Sequence, residues 1–215
     1  MRLAVVGVAI VVGVGLLVAQ TSKSSRASLA KWVVVPRSAP RGPGGTGGTV
    51  PSGSSDAPVT LGNNIVTVPV PQGWTAAVGD DKTSVDLDGG NLTAYIFVVS
   101  ANTESASALV SELPGDLLNS DGNLSNVHTD PAATLTPSGL VTGAARMAYT
   151  ATEKSDGATY ADLGNFFAYT RNDGWAMEIQ LVAQGSDTAD AGGKLTTSAD
   201  VAALLTGAYN SFAHQ

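Results

Sequence analysis

The chain has 215 residues, 43% of them apolar, which is enough to bury the core of one ordinary domain with appendages to spare and excludes a disordered protein. It has no cysteine, which excludes disulfides, a cysteine nucleophile and any metal or cofactor held by thiolate. The net charge of -7 is unevenly split: up to Ser55 there are only bases (Arg2, Lys23, Arg26, Lys31, Arg37 and Arg41), and all 18 acids lie from Asp56 onward.

That asymmetry predicts two parts with different surroundings. The acidic part repels phosphate backbones, so nucleic acid is not an expected partner. The basic part suits anionic lipid headgroups. Leu3 to Ala19 holds no polar side chain, and as a helix it is about 26 Å long, close to the roughly 30 Å of bilayer hydrocarbon. Residues 1–22 are therefore read as a transmembrane signal anchor, with the membrane as a partner. Cleavage after Ser28-Leu29-Ala30, which would release a secreted protein, is the alternative. Residues 23–35 form a basic juxtamembrane segment. Its positive charges argue that the domain stays cytoplasmic, whereas the short amino-terminal tail and the linker argue for export. The expectation is an extracytoplasmic domain, with the reversed anchor as the competing topology.

Residues 36–60, rich in Pro, Gly and Ser, read as a flexible linker. No Gly-Lys-Ser/Thr follows the glycines, so this is no phosphate loop. The globular part spans 61–215. Asn64 to Val70 alternates like a strand, and Thr83–Asp88 with Asn91–Ser100 reads as a hairpin around Asp88-Gly89-Gly90, its second strand apolar on both faces and so central. A helix follows, capped by Asn102 or Thr103, with Leu109, Val110 and Leu113 as its stripe until Pro114 and Gly115 interrupt or kink it. Two long strands, 140–153 and 159–170, lead through Asn172-Asp173-Gly174 into a third, where Trp175, Met177, Ile179 and Leu181 alternate with Ala176, Glu178, Gln180 and Val182. The last element is a helix capped by Ser198 or Thr197, with Val201, Leu204, Leu205, Ala208, Tyr209 and Phe212 on one face. The fold class is α+β, an antiparallel sheet flanked by helices.

Groups able to do chemistry are few. His128 with Asp130 is an incomplete triad or metal site, read mainly as a surface loop. Asp80, Asp81, Asp86 and Asp88 resemble an oxygen-rich cation loop, but lack the later ligands of one, and turn chemistry accounts for them. Glu153 and Glu178 are a conceivable glycosidase pair if they stand about 5–9 Å apart in a cleft. Strand alternation predicts instead that both are exposed. The aromatics Tyr160, Phe166, Phe167, Tyr169 and Trp175 fit a core hairpin or, less simply, a groove. No catalytic, metal or cofactor site is assigned.

A strand running into Val68-Pro69-Val70-Pro71-Gln72-Gly73-Trp74, then two strands, a helix, long antiparallel strands and a closing amphipathic helix together resemble the PsbP/Mog-like superfamily over about Leu61 to Phe212. The nearer resemblance is to actinobacterial envelope proteins of the LpqN type and the alanine- and proline-rich secreted protein. The resemblance implies an α/β/α sandwich that acts as a binding or assembly module with a protein or envelope-component partner and no shared catalytic set. Within the motif it makes Pro71, Gly73 and Trp74 structural. The chain departs from the LpqN type in having an apolar helix and no lipidated cysteine, so the helix itself would tether it. The functional expectation is a membrane-anchored, non-enzymatic envelope protein. The alternatives are an envelope hydrolase using Glu153/Glu178 or His128/Asp130, and a cytoplasmic-facing domain.

Overall fold

The computed structural model describes residues 57–101, 103–118, 123–155 and 157–215. The predicted membrane helix, the basic segment and nearly all of the linker lie outside the described residues. Among the described residues no helix is long and apolar enough to cross a membrane.

The described residues form one eight-stranded antiparallel sheet, a separate two-stranded hairpin and three helices. The small hairpin is β1 (Val59–Leu61) with β2 (Val66–Val68), turned by Asn63 and Asn64 at positive φ. This replaces the single strand expected over 64–70. The main sheet contains β3 (Thr75–Val78), β4 (Ser84–Asp88), β5 (Leu92–Ser100), β6 (Leu124–Thr129), β7 (Ala133–Thr134), β8 (Val141–Ser155), β9 (Ala158–Arg171) and β10 (Trp175–Gly185). Its order is β3-β4-β5-β10-β9-β8-β6, with β7 beside β8, so the strand read as central does have a neighbour on each side.

Helix α1 (Ala106–Leu117) is capped by Ser105, whose Oγ accepts from the Ala108 amide at 3.2 Å, two or three residues beyond the expected Thr103 or Asn102. It runs three residues past Pro114 instead of stopping there. A proline forfeits only one internal amide bond, and the buried stripe of Leu109, Val110, Leu113 and Leu117 holds the turn that follows. Helix α2 (Thr188–Thr197) was not visible as a pattern, and α3 (Ala199–His214) is capped by Ser198.

The two sheet faces bury different sets. One packs Val85, Leu87, Ile96, Ile179 and Leu181 against Val201, Leu204, Ala208 and Phe212 of α3 and against the β1–β2 hairpin. The other packs Phe97, Met147, Phe166 and Val182 against the stripe of α1. The molecule is thus layered helix, sheet, helix, and strand alternation sorts residues between two covered faces instead of between core and water.

The Pro-x-Gly-Trp motif occupies the entry to β3. The Trp74 amide donates to the Pro71 carbonyl at 3.1 Å, with Gly73 at φ 80 in the third position of the turn. Trp74 is 6% exposed and belongs to the α3-side core. Its ring lies on Gly89, where an added Cβ would stand 2.4 Å from the indole Cε2. The motif and the Asp88-Gly89-Gly90 turn therefore form one packed corner.

Candidate functional site

Helix α1 lies over β8 and β9 and only grazes β10. The face beneath it, and the part beyond it, is unexpectedly polar. Glu178 on β10 is opposite Phe97 of β5 and Ala168 of β9, and two residues further Gln180 is opposite Tyr95 and Phe166. Asp86 on β4 is opposite Tyr95, so β4, β5 and β10 share a row of carboxylate, phenol and amide.

Tyr149 organises the neighbouring part of this face. It is paired across strands with Gly164, where a Cβ would stand 2.3 Å from its ring, so the glycine lets the ring cross β9. The hydroxyl then donates to Asp162 Oδ1 at 3.2 Å and accepts from Gln180 Nε2 at 3.2 Å, while the ring stacks on Phe166 at 5.0 Å. At the end of the row Gln184 Nε2 donates to Glu153 Oε2. Three strands are thereby tied by side chains as well as by their backbones.

The predicted pairs can now be placed. Glu153 and Glu178 are 2% and 1% exposed, so the expectation that both face solvent is overturned. The alternation was read correctly, but a helical layer covers the face to which it assigns them. Glu153 is opposite Tyr160 and Glu178 opposite Ala168, eight residues apart on β9, which sets their backbone positions about 27 Å apart along the strands. They do not form the pair that glycoside hydrolysis requires. His128 and Asp130 are exposed at the sheet edge, His128 on β6 opposite Thr150, so His128 lies on a strand and not in a loop.

The aspartates also separate by role. Asp81 Oδ1 accepts from the Thr83 amide at 3.0 Å and its hydroxyl at 2.8 Å, and Asp88 Oδ1 accepts from the Gly90 amide at 2.7 Å, both as turn caps. Asp80 is exposed, and among the described residues no three His, Asp or Glu side chains converge on a metal position. Asp86 differs. Desolvation by burial raises its pKa from 3.8 to about 6.

A raised carboxylate pKa makes the fold favour the protonated form, so stability falls as pH rises from the unfolded value near 3.8 through about 6. The cost is about 2 kcal/mol or less above that window, allowing for residual solvent. Asp86→Asn should therefore raise the thermal midpoint at pH 7 and leave it nearly unchanged at pH 3.5. An equal gain at both pH values would show that the carboxyl is not under this strain.

An antiparallel sheet between helical layers, with a buried polar row on one face, defines the class as an α/β/α sandwich. No protein-family model matches the chain, and no curated protein does. Among solved structures it is similar to a point mutant of the protein Mog1, at 11% identity over 75% of this chain and 97% of that chain, with a TM-score of 0.46. It is similar also to the Ran-binding protein Mog1p of Saccharomyces cerevisiae, at 12% identity, 74% and 94% coverage and a TM-score of 0.45. LpqN of Mycobacterium tuberculosis, involved in cell envelope biogenesis, is similar at 14% identity, 67% and 80% coverage and a TM-score of 0.37. These are the two kinds of protein to which the sequence resemblance pointed.

Proposed function

We propose that the protein is a non-enzymatic binding module of the cell envelope. The apolar segment 1–22 tethers it to the membrane, the linker gives it reach, and the acidic domain on the outer side engages a protein or envelope component. The observation that carries the reading is the polarity of the β4–β5 side of one sheet face, where half-buried Asp86 and Tyr95 continue a row from buried Gln180 at positions a stability-optimised sandwich would fill with apolar side chains. Keeping Asp86 ionised there destabilises the fold, and a carboxylate held at such a cost is a candidate functional group. The hydrolase alternative loses support because Glu153 and Glu178 stand far apart on the sheet and His128 and Asp130 are exposed at its edge. The tether and the outward topology are supported by the three-part layout of the sequence, in which a wholly apolar run precedes a basic segment and a Pro/Gly/Ser-rich spacer.

The test is photo-cross-linking in intact cells from Ala77, exposed beside Asp86 on β3, against Ala202, exposed on α3 across the sheet. A partner adduct should form at Ala77, should weaken at least about threefold when Asp86 and Asp88 become Asn, and should be absent at Ala202. Equal adducts at both positions, or an adduct indifferent to the charges, would contradict the reading. Protease added to the same intact cells should remove the domain, and a protected domain would favour the reversed anchor.

A further inference from the structure

We propose that the outer edge of β3 takes up one more antiparallel strand, an extended segment of a partner protein in which apolar and basic residues alternate. This rests on the reading of the Asp86 side as an interaction surface and adds how the partner is held and what its chemistry is.

The sheet ends in two unlike edges. At one end β6 carries a register shift between Ser125 and His128, with Asn126 at φ 52 inside it, which breaks the row of backbone groups that another strand would need. At the other end β3 pairs with β4 in unbroken register, and among the described residues no strand lies beyond it. Its sequence, Thr-Ala-Ala-Val, has no proline, no charge and no bulge to keep another strand from pairing with it. Thr75, Ala77 and Val78 are exposed.

The ladder shows which backbone groups are on offer. The Gly79 amide donates to the Ser84 carbonyl at 3.0 Å, which makes Gly79 and Ser84 a hydrogen-bonded pair. Bonded and non-bonded pairs alternate in an antiparallel ladder, so Ala77 with Asp86 and Thr75 with Asp88 are bonded. Ala76 and Val78 therefore turn their amides and carbonyls away from β4, as donors and acceptors for a further strand.

Side-chain parity and charge select the occupant. Ala76 and Val78 lie on the side of the sheet that packs against α3, Ala76 partly buried against that core and Val78 44% exposed. Residues of an added strand opposite these two continue an apolar surface. The residues between them stand beside Thr75 and Ala77, on the side that carries Asp86 and Asp88. Ala77 is small, so a long basic stem can cross β3 to the half-buried carboxylate of Asp86. The hairpin from Thr75 to Asp88 sets Asp80, Asp81, Asp86 and Asp88 against Lys82 alone, so it attracts a basic strand and repels a second copy of itself.

The probe is a synthetic peptide of alternating valine and lysine, added to the full chain in detergent micelles. It should bind at least about tenfold more tightly than a peptide of alternating valine and glutamate, and lose that advantage at about 1 M salt, where the screening length is near 3 Å. In antiparallel addition the peptide's valine amides face the Ala76 and Val78 carbonyls. N-methylation of those amides should weaken binding at least about tenfold, and N-methylation of the lysine amides should leave it within about threefold. Val78→Pro removes an outward amide and no bond to β4, so it should weaken binding as valine methylation does, whereas Val78→Thr should not. Equal effects of the two methylation patterns, or unchanged binding by a Val78→Pro protein that keeps its thermal midpoint, would overturn the added strand. So would a dimer of the chain through β3 that the peptide fails to displace. The cellular adduct at Ala77 separates this from failure of the parent reading: it survives Val78→Pro if the partner docks through side chains alone, and it is missing from the unaltered chain if the parent reading is wrong.

Discussion

Trp74→Ala should lower the unfolding free energy by about 3–5 kcal/mol, the cost of removing a buried indole whose surroundings relax only in part. Trp74 is 6% exposed and joins the start of β3 to the core shared with α3. Because its ring lies on Gly89, Gly89→Ala should be destabilising as well, by about 1–3 kcal/mol from overpacking. In the double variant the added methyl enters space the indole has left, so the combined loss should fall short of the two single losses together. Denaturant unfolding of the four proteins measures the coupling. A loss under about 1 kcal/mol for Trp74→Ala would return the residue to the surface as a contact for a partner.

Arg171→Met should cost about 2–4 kcal/mol, because it removes a buried cation together with the hydrogen bonds that satisfy it. The Arg171 side chain is 8% exposed. Its Nη1 donates to the Phe212 carbonyl at 3.1 Å, its Nε donates to Asp173 Oδ1 at 3.2 Å, and its guanidinium carbon lies 5.3 Å from the Phe212 ring centroid. One side chain thus closes the Asn172-Asp173-Gly174 turn and fastens the end of α3 to β9. The Leu140 amide, which donates to the Ala213 carbonyl at 2.8 Å, secures the same helix end. Arg171→Lys keeps the charge but not the fork, and should recover less than half of the loss. Full recovery by lysine would show that charge alone fastens the helix.

Much of the fold was legible because its signals are local. Asp88-Gly89-Gly90 and Asn172-Asp173-Gly174 mark two of the hairpins, and Val201, Leu204, Ala208 and Phe212 repeat at the helical period. The missed elements lack such signals. Strand β3 is only Thr-Ala-Ala-Val, and β6 is broken by a register shift near Asn126, whose φ is 52. Helix α2 holds two adjacent glycines and little intrinsic propensity. It is fixed instead by Asp187, which caps the Asp190 amide at 2.9 Å, and by Lys194, whose Nζ donates to the Gln184 carbonyl at 2.9 Å.

The candidate site was legible only as residue types. Alternation assigns Glu178 to the face opposite Met177 and Ile179, but says nothing of what covers that face. Burial there follows from α1 and from strand order, both of which are long-range. The Tyr149–Asp162–Gln180 network needed the same knowledge, since its three strands come together only through the register of β8, β9 and β10. Gly164 was the nearest thing to a local signal, an isolated glycine inside a strand that marks a close approach.

The central claim is that the polar face around Asp86 engages a partner. Photo-cross-linking in intact cells from Ala77, beside Asp86, against Ala202 on α3 tests it most directly. The account predicts an adduct at Ala77 that weakens at least about threefold when Asp86 becomes Asn, and none at Ala202. Equal adducts at both positions, or an adduct indifferent to the substitution, would contradict it.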